Sequence, residues 1–383
     1  MKIKPTSLLA CVVSGLLVLT AVLSYNNFTR QWKDDLIIPS KHVTTVKWLS
    51  DYLPWLKGTR GDSRVFIIDS GVPGGTFGLL GGTHPDEQAG WMAAIILVEK
   101  LQLKSGKMVI IPHANNSAMT HSFPQEATPQ FIHIPTDDGA VRVFRGGSRG
   151  TNPVDYWPDP EVFSHYQTGQ KLSGEEVRNL NRNYPGRPDG QFTERVAHAI
   201  FKVLIDEGVD INLDLHEAWP EYPFVNAVGA DQRASDIASL AALDLRMEGV
   251  EIGVEAVPKK FRGLSYRELS EYSNAMGLLA ETPNASQGRI RGITDETLVI
   301  KGQDEFYVTA TQLGRTFAKF DEHGWPLSKR VARHIALINA LARTYTETYP
   351  EKPIEFENMP TYDELVDTPV GHFLNSPAAV AGN

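Results

Sequence analysis

His84 and Glu87 stand three residues apart in the run Gly81-Gly82-Thr83-His84-Pro85-Asp86-Glu87. On a first helical turn that spacing puts an imidazole nitrogen and a carboxylate on one side, within reach of a single ion. A tetrahedral catalytic zinc takes three protein ligands and keeps a fourth position for water, so the pair needs a third partner from elsewhere. His216 is placed to supply it, because it follows Ile211-Asn212-Leu213-Asp214-Leu215, a run with the character of a buried strand. Alone, His-x-x-Glu is equally compatible with a capping carboxylate beside a surface histidine. The Gly-Gly turn before the pair and the strand-terminal histidine downstream favour the metal.

The elements that must position these side chains follow from the apolar pattern. Short apolar runs alternate with amphipathic stretches from Arg64 onward, as in a mostly parallel sheet covered by helices. Val65–Asp69, Thr76–Leu80 and Met108–Pro112 read as strands, and Asp86–Leu103 reads as a helix with Pro85 near its first position. Thr193–Glu207 reads as a second helix that stops at Gly208, and Val209–Leu215 as the strand that returns. A third helix is expected over Ser328–Tyr349 with Ser328 as N-cap, and an irregular tail beyond Pro350. The stretch 115–178 is rich in Pro, His, Asp and Gly and reads as loops covering a cleft; a surface insertion without function is the alternative.

A further motif, Asn179-Leu180-Asn181-Arg182-Asn183-Tyr184-Pro185-Gly186, lies between the candidate ligands. Taken in order, Gly-Gly-Thr-His84-x-x-Glu87, Asn-Leu-Asn181-Arg182-x-Tyr-Pro-Gly and Asp-Leu-His216 resemble the zinc carboxypeptidase superfamily, and within it the succinylglutamate desuccinylase/aspartoacylase branch. The similarity spans about Val65 to Glu281. The resemblance implies one zinc ion on His84, Glu87 and His216, and a substrate carboxylate held by Asn181 and Arg182. Chemistry agrees for Arg182, since a planar guanidinium grips a carboxylate through two parallel hydrogen bonds. Pro85 departs from the family pattern, where glycine is usual after the first histidine, and it alters the expected pocket wall.

Water activated by such an ion, with its pKa lowered to roughly 7, needs a general base during attack on a carbonyl. Glu281 fits that role: it follows the apolar run Met276–Ala280 and precedes the turn Thr282-Pro283-Asn284, matching the downstream strand end of the resembling family's catalytic glutamate. Glu217, next to His216, is the rival. The family also uses an upstream arginine to polarise the scissile carbonyl, and Arg145, Arg149 and Arg178 compete for that part, with Arg149 preferred beside Thr151-Asn152-Pro153. Arg289 and Arg291 are either readers of a second acidic group or solvated charges. His113, His121 and His133 read as ordinary loop histidines. Gly146-Gly147-Ser148-Arg149-Gly150 has the form of a serine-hydrolase elbow, but the prolines that follow forbid the helix such an elbow needs.

The 383 residues carry 37 basic and 46 acidic side chains, a net charge of −9, with no basic run; nucleic acid is thereby excluded as a partner. Lys2 and Lys4 precede the uncharged stretch Ser7 to Ser24, which reads as an export segment that is either cleaved after Ser24 or retained as a membrane tether through residues 7–24. The catalytic part is then placed in the periplasm or on the outer side of the inner membrane. Cys11 is the single cysteine, so no disulfide is expected.

The expected protein is thus an α/β chain, a three-layer α/β/α domain with a mixed, mostly parallel sheet over 40–350, an N-terminal segment 1–24 and a tail 351–383. Its expected chemistry is zinc-dependent hydrolysis of an amide bond next to a free carboxylate, in a small acylated amino acid or a peptide C-terminus. An exported binding protein that kept the fold without turnover is the alternative.

Overall fold

The computed structural model describes residues 5–123, 126–256 and 261–378. Its centre is the strand Ile211–Ala218, buried along all eight positions. Ile211, Leu213 and Leu215 put the apolar side chains on one face, while Asn212, Asp214 and His216 share the other, equally buried face. It lies between Thr76–Leu80 and Met276–Pro283, parallel to both. The eight-stranded sheet runs in the order Thr45–Trp48, Arg64–Asp69, Lys107–Ile111, Thr76–Leu80, Ile211–Ala218, Met276–Pro283, Ala227–Ala230 and Gly253–Ala256. Its four middle strands are mutually parallel, while antiparallel pairs occur toward both edges. Helices Gln88–Lys100, Ser235–Met247 and Leu327–Thr348 bury their apolar stripes in one core. Phe192–Asp206 and Ser265–Tyr272 contribute to a second, separate core. The molecule is the mixed, mostly parallel α/β/α sandwich expected.

Several boundaries differ from expectation, each for a local reason. The first covering helix starts at Gln88, so Pro85 lies in the preceding turn and Glu87 occupies the N-cap position. His216 and Glu281 lie within their strands, which continue because residues 216–218 find ladder partners in 281–283. Ser328 is inside its helix, whose N-cap is Pro326. Gly208 does end its helix, in the left-handed region at φ +68°.

The stretch 115–178 is more regular than expected, since Phe131–Pro135 pairs with Val141–Arg145 and Val162–Ser164 with Lys171–Ser173. Residues 124 and 125 of that stretch lie outside the described residues, as do Lys2 and Lys4 of the N-terminal segment. The tail is not irregular either. Glu355–Glu357 adds to Gln102–Ser105, and Tyr362–Asp367 is a helix capped by Thr361. Both are too short to show a period, and the strand's partner lies far away in the chain. The helix Thr6–Arg30 is long and apolar enough to cross a membrane.

A buried ion pair holds the tail in place. Arg142 donates to both carboxylate oxygens of Glu99 at 3.0 and 3.2 Å, and also to the carbonyls of Leu36 and Asn375. Both side chains are at most 1% exposed. Losing one partner would strand the other charge without water. Glu99→Ala is expected to lower unfolding free energy by about 3–5 kcal/mol, read from urea denaturation.

Candidate metal centre and active site

The loop after Thr76–Leu80 turns on two glycines. Gly82 adopts φ +65°, which an L side chain disfavours, and a Cβ on Gly81 would sit 2.8 Å from Trp91 Cα. The chain then closes a turn in which the Glu87 N–H donates to the His84 carbonyl at 3.1 Å. This turn, and no helical turn, brings the two side chains together: His84 Nδ1 lies 2.8 Å from Glu87 Oε1. The neighbouring strand delivers His216, whose Nδ1 is 2.8 Å from Glu87 Oε2 and 3.1 Å from His84 Nδ1. All three residues are buried.

The outer nitrogens decide what these inner atoms can do. Asn179 Nδ2 donates to Glu176, and its Oδ1 accepts the Asn181 N–H, so Oδ1 is also the acceptor 2.9 Å from His84 Nε2. His84 therefore carries its proton on Nε2 and turns a lone pair inward at Nδ1. His216 stands between two carboxylates, with Nε2 3.1 Å from Asp214 and Nδ1 2.8 Å from Glu87. Asp214 is held in turn by Thr83 Oγ1 at 2.8 Å and by Ser265 Oγ. A carboxylate set between two inward-facing histidine nitrogens is stable only beside positive charge, which a metal ion, a proton on His216 or the nearby Arg149 guanidinium can supply. Ligand atoms on a tetrahedral ion bound at ~2.0–2.1 Å stand about 3.3 Å apart, and a His₂Glu set is a known catalytic donor set, so these residues fit a divalent metal.

The electrostatics point the same way. Burial and the Arg149 charge push His84 down to about 4, so it stays neutral at ordinary pH. Burial acts to raise Glu87, but the two histidines hold it well below the usual carboxylate range. Burial acts to lower His216, but Asp214 and Glu87 raise it well above its ordinary value, so a proton there is the alternative to a metal.

Around this cluster lies a cavity of about 690 Å³. Glu281 reaches it directly, since its strand pairs with the neighbouring one so that residue 281 sits opposite His216. Its buried Oε2 makes no hydrogen bond, and burial together with the Glu87 charge pushes its carboxyl up to about 8. Arg149 places Nη1 3.2 Å from Glu87 Oε1 and 3.3 Å from His84 Nδ1. Its two competitors are engaged elsewhere: Arg145 with Asp35 and Asn116, Arg178 with Asp159. Arg182 lines the cavity, with Nη1 donating to the Asn181 carbonyl and Nε 3.9 Å from Glu176. Asn181 also lines it, but its Oδ1 accepts the Ser265 N–H and its Nδ2 lies 3.4 Å from His216 Nε2. Asn181 is therefore a wall of the histidine pocket as well as a cavity residue.

Other expectations resolve differently. The Glu217 carboxylate is bound by Arg330 at 2.6 Å and by the Ala89 N–H, which commits it to joining two helices to the sheet. Arg291 donates to backbone carbonyls at the cavity rim, and Arg289 lies over Trp219. His113 faces Asp35 and His133 faces Glu296, both away from the cluster. Asn179 and Asp214 were given no role by sequence reasoning. For Asp214 a signal existed, since residues two apart on a strand share a face and Asp-x-His therefore puts a carboxylate beside the imidazole.

The model of the succinylglutamate desuccinylase/aspartoacylase catalytic domain matches residues 164–274, the segment carrying the Asn-Arg motif and His216. The motifs resemble this family. An N-alpha-acetyl-L-2,4-diaminobutyric acid deacetylase from Halomonas elongata is 29% identical over 140 residues, 36% of this chain and 27% of that protein. The chain thus aligns with about a quarter of the curated relative. Among solved structures, the product-bound ectoine utilization protein of Ruegeria pomeroyi shares 22% identity, covering 59% of this chain and 55% of that one (TM-score 0.37). A succinylglutamate desuccinylase/aspartoacylase from Rhodobacter sphaeroides shares 20%, covering 57% and 51% (TM-score 0.36). A metallo-carboxypeptidase from Burkholderia cenocepacia shares 13%, covering 80% and 65% (TM-score 0.45). All three TM-scores are below 0.5, and the fold assignment rests on the strand order above.

If the converging donors hold a metal, His216→Ala is expected to abolish stoichiometric binding. Asp214→Asn is expected to weaken it by about 10–100-fold through loss of the carboxylate that orients the ring. Chelator competition followed by elemental analysis measures both.

Proposed function

We propose that this chain is a zinc-dependent hydrolase that cleaves an amide bond adjacent to a free carboxylate, in an acylated amino acid or at a peptide C-terminus. The observation that carries the reading is the convergence of two histidine nitrogens and a buried carboxylate, beside a carboxyl group of raised proton affinity. Support comes also from the family model that spans the Asn-Arg motif and from the deacetylase name of the Halomonas relative.

His84, Glu87 and His216 would hold the ion, which supplies Lewis-acid polarisation and lowers the pKa of a nearby water. Arg182 binds the substrate carboxylate, with Asn181 shaping that subsite; a guanidinium only partly paired within the protein keeps donors for a ligand. Arg149, next to Glu87, is aimed at the carbonyl oxygen that gains charge during attack. Glu281 accepts a proton from the attacking water and passes it to the departing nitrogen. The balance is one water consumed: a C–O bond forms, the C–N bond breaks, and a carboxylic acid and an amine leave. The apolar helix Thr6–Arg30 serves export or anchoring, which puts the reaction outside the cytoplasm.

The decisive experiment combines metal analysis with product detection by mass after incubation with a mixed library of acylated amino acids and short peptides. Turnover that requires stoichiometric zinc supports the reading, and metal-free protein or absence of any turnover overturns it. Glu281→Gln is expected to retain zinc and lose about 10²–10⁴ in kcat, which a protein that only binds would have no turnover to show.

The pH profile tests the same residue. Glu281 works deprotonated, so kcat/KM falls as pH drops through its pKa. Burial and Glu87 raise that value from 4.5 to about 8, and a cation alongside draws it back down. The acid limb is expected between those two values and should vanish in Glu281→Gln.

A further inference from the structure

The cavity is not uniformly polar. Beside the charged groups described above, it is lined by Trp219, Tyr222, Phe224, Phe261, Leu264 and Leu279. The Trp219 and Tyr222 rings lie 4.9 Å apart, and the remaining four gather with Tyr266 into an apolar cluster of their own. A carboxylate and a short acyl group engage the charged groups and bring nothing apolar to these side chains. At about 690 Å³ the space suits a drug-sized molecule.

Two exposed apolar side chains stand close in sequence or by hydrogen bonding to the lining residues. Phe317, 66% exposed, is fixed by its N–H to the Pro220 carbonyl, immediately beside Trp219. Ile293, 83% exposed, follows Arg291, which donates to the Glu126 carbonyl on another part of the rim. The segment beside Glu126 is in turn fastened to the end of the apolar N-terminal helix. Asn27 donates to Gln130 at 2.6 Å, Gln31 to Ser122 at 3.2 Å, and Arg30 lies over Phe131. The segment that carries the lining residue Glu126 is therefore tied to the one described helix with the length and composition of a membrane span.

We infer that the site takes an amphiphilic acylated amino acid, its carboxylate at Arg182 and a bulky apolar portion against the Trp219–Leu279 wall, entering past Phe317 and Ile293. The inference rests on the hydrolase reading for the chemistry but on the wall and rim for the substrate. The apolar portion is either a long acyl chain or the amino-acid side chain, and two substrate series separate these sources.

The test uses the full chain in phosphatidylcholine vesicles, with kcat/KM for the active protein and Kd for its Glu281→Gln form. One series lengthens the acyl group of N-acyl-alanine from acetyl to octanoyl; the other replaces alanine by leucine and phenylalanine in the N-acetyl compound. Each buried methylene contributes up to about fourfold, so at least about tenfold tighter binding is expected along one series. Trp219→Ala and Phe261→Ala should shrink that preference; a ratio measured within one preparation is not imitated by partial misfolding. Equal Kd along both series, or tightest binding of N-acetylaspartate, overturns the inference. Preference in Kd without any turnover keeps it and defeats the hydrolase reading instead.

Discussion

A buried carboxylate set between two histidine nitrogens is stable only beside positive charge, from a metal ion, a proton on His216 or the Arg149 guanidinium. Much of the surrounding structure serves that condition. Asn179 and Asp214 occupy the outward nitrogens of the two histidines and fix the orientation of both rings. Thr83 and Ser265 anchor Asp214, and the Asn179 amide is fixed from both ends. The result is a preorganised cradle whose cost, several polar groups removed from water, is offset because each finds a hydrogen-bonding partner.

The sheet supplies the precision. His84 follows the end of one parallel strand, His216 lies near the end of the next, and Glu281 sits opposite His216 on the third. Adjacent strands are about 4.8 Å apart, so chemistry requiring groups a few ångströms apart is met by three neighbouring strand ends. This is the crevice outside the carboxyl ends where open α/β sheets place their ligands. The Glu217–Arg330 pair works from the opposite side, tying the strand to Leu327–Thr348.

The cavity joins two environments. The charged floor is suited to a carboxylate and a polar bond, and the aromatic wall to apolar surface that would otherwise face water. The connection of its rim to the apolar N-terminal helix gives that asymmetry a spatial direction.

Much of this was legible along the chain. Residue type and spacing marked His84, Glu87 and His216, and apolar runs marked the central strands, because ligand chemistry and burial on both sheet faces leave signatures that need no knowledge of neighbours. The choice of Arg149 over Arg145 and Arg178 was only weakly marked locally, since three arginines look alike until Asp35 and Asp159 claim two of them. Glu217 and Glu281 likewise separate only when Arg330 is seen to bind the first. The short tail strand was hidden because it is stabilised by a partner more than two hundred residues away. The sequence by itself determined which atoms could bind a cation. Tertiary packing decided which charges were left free to act, because pairing depends on proximity in space and linear order does not record it.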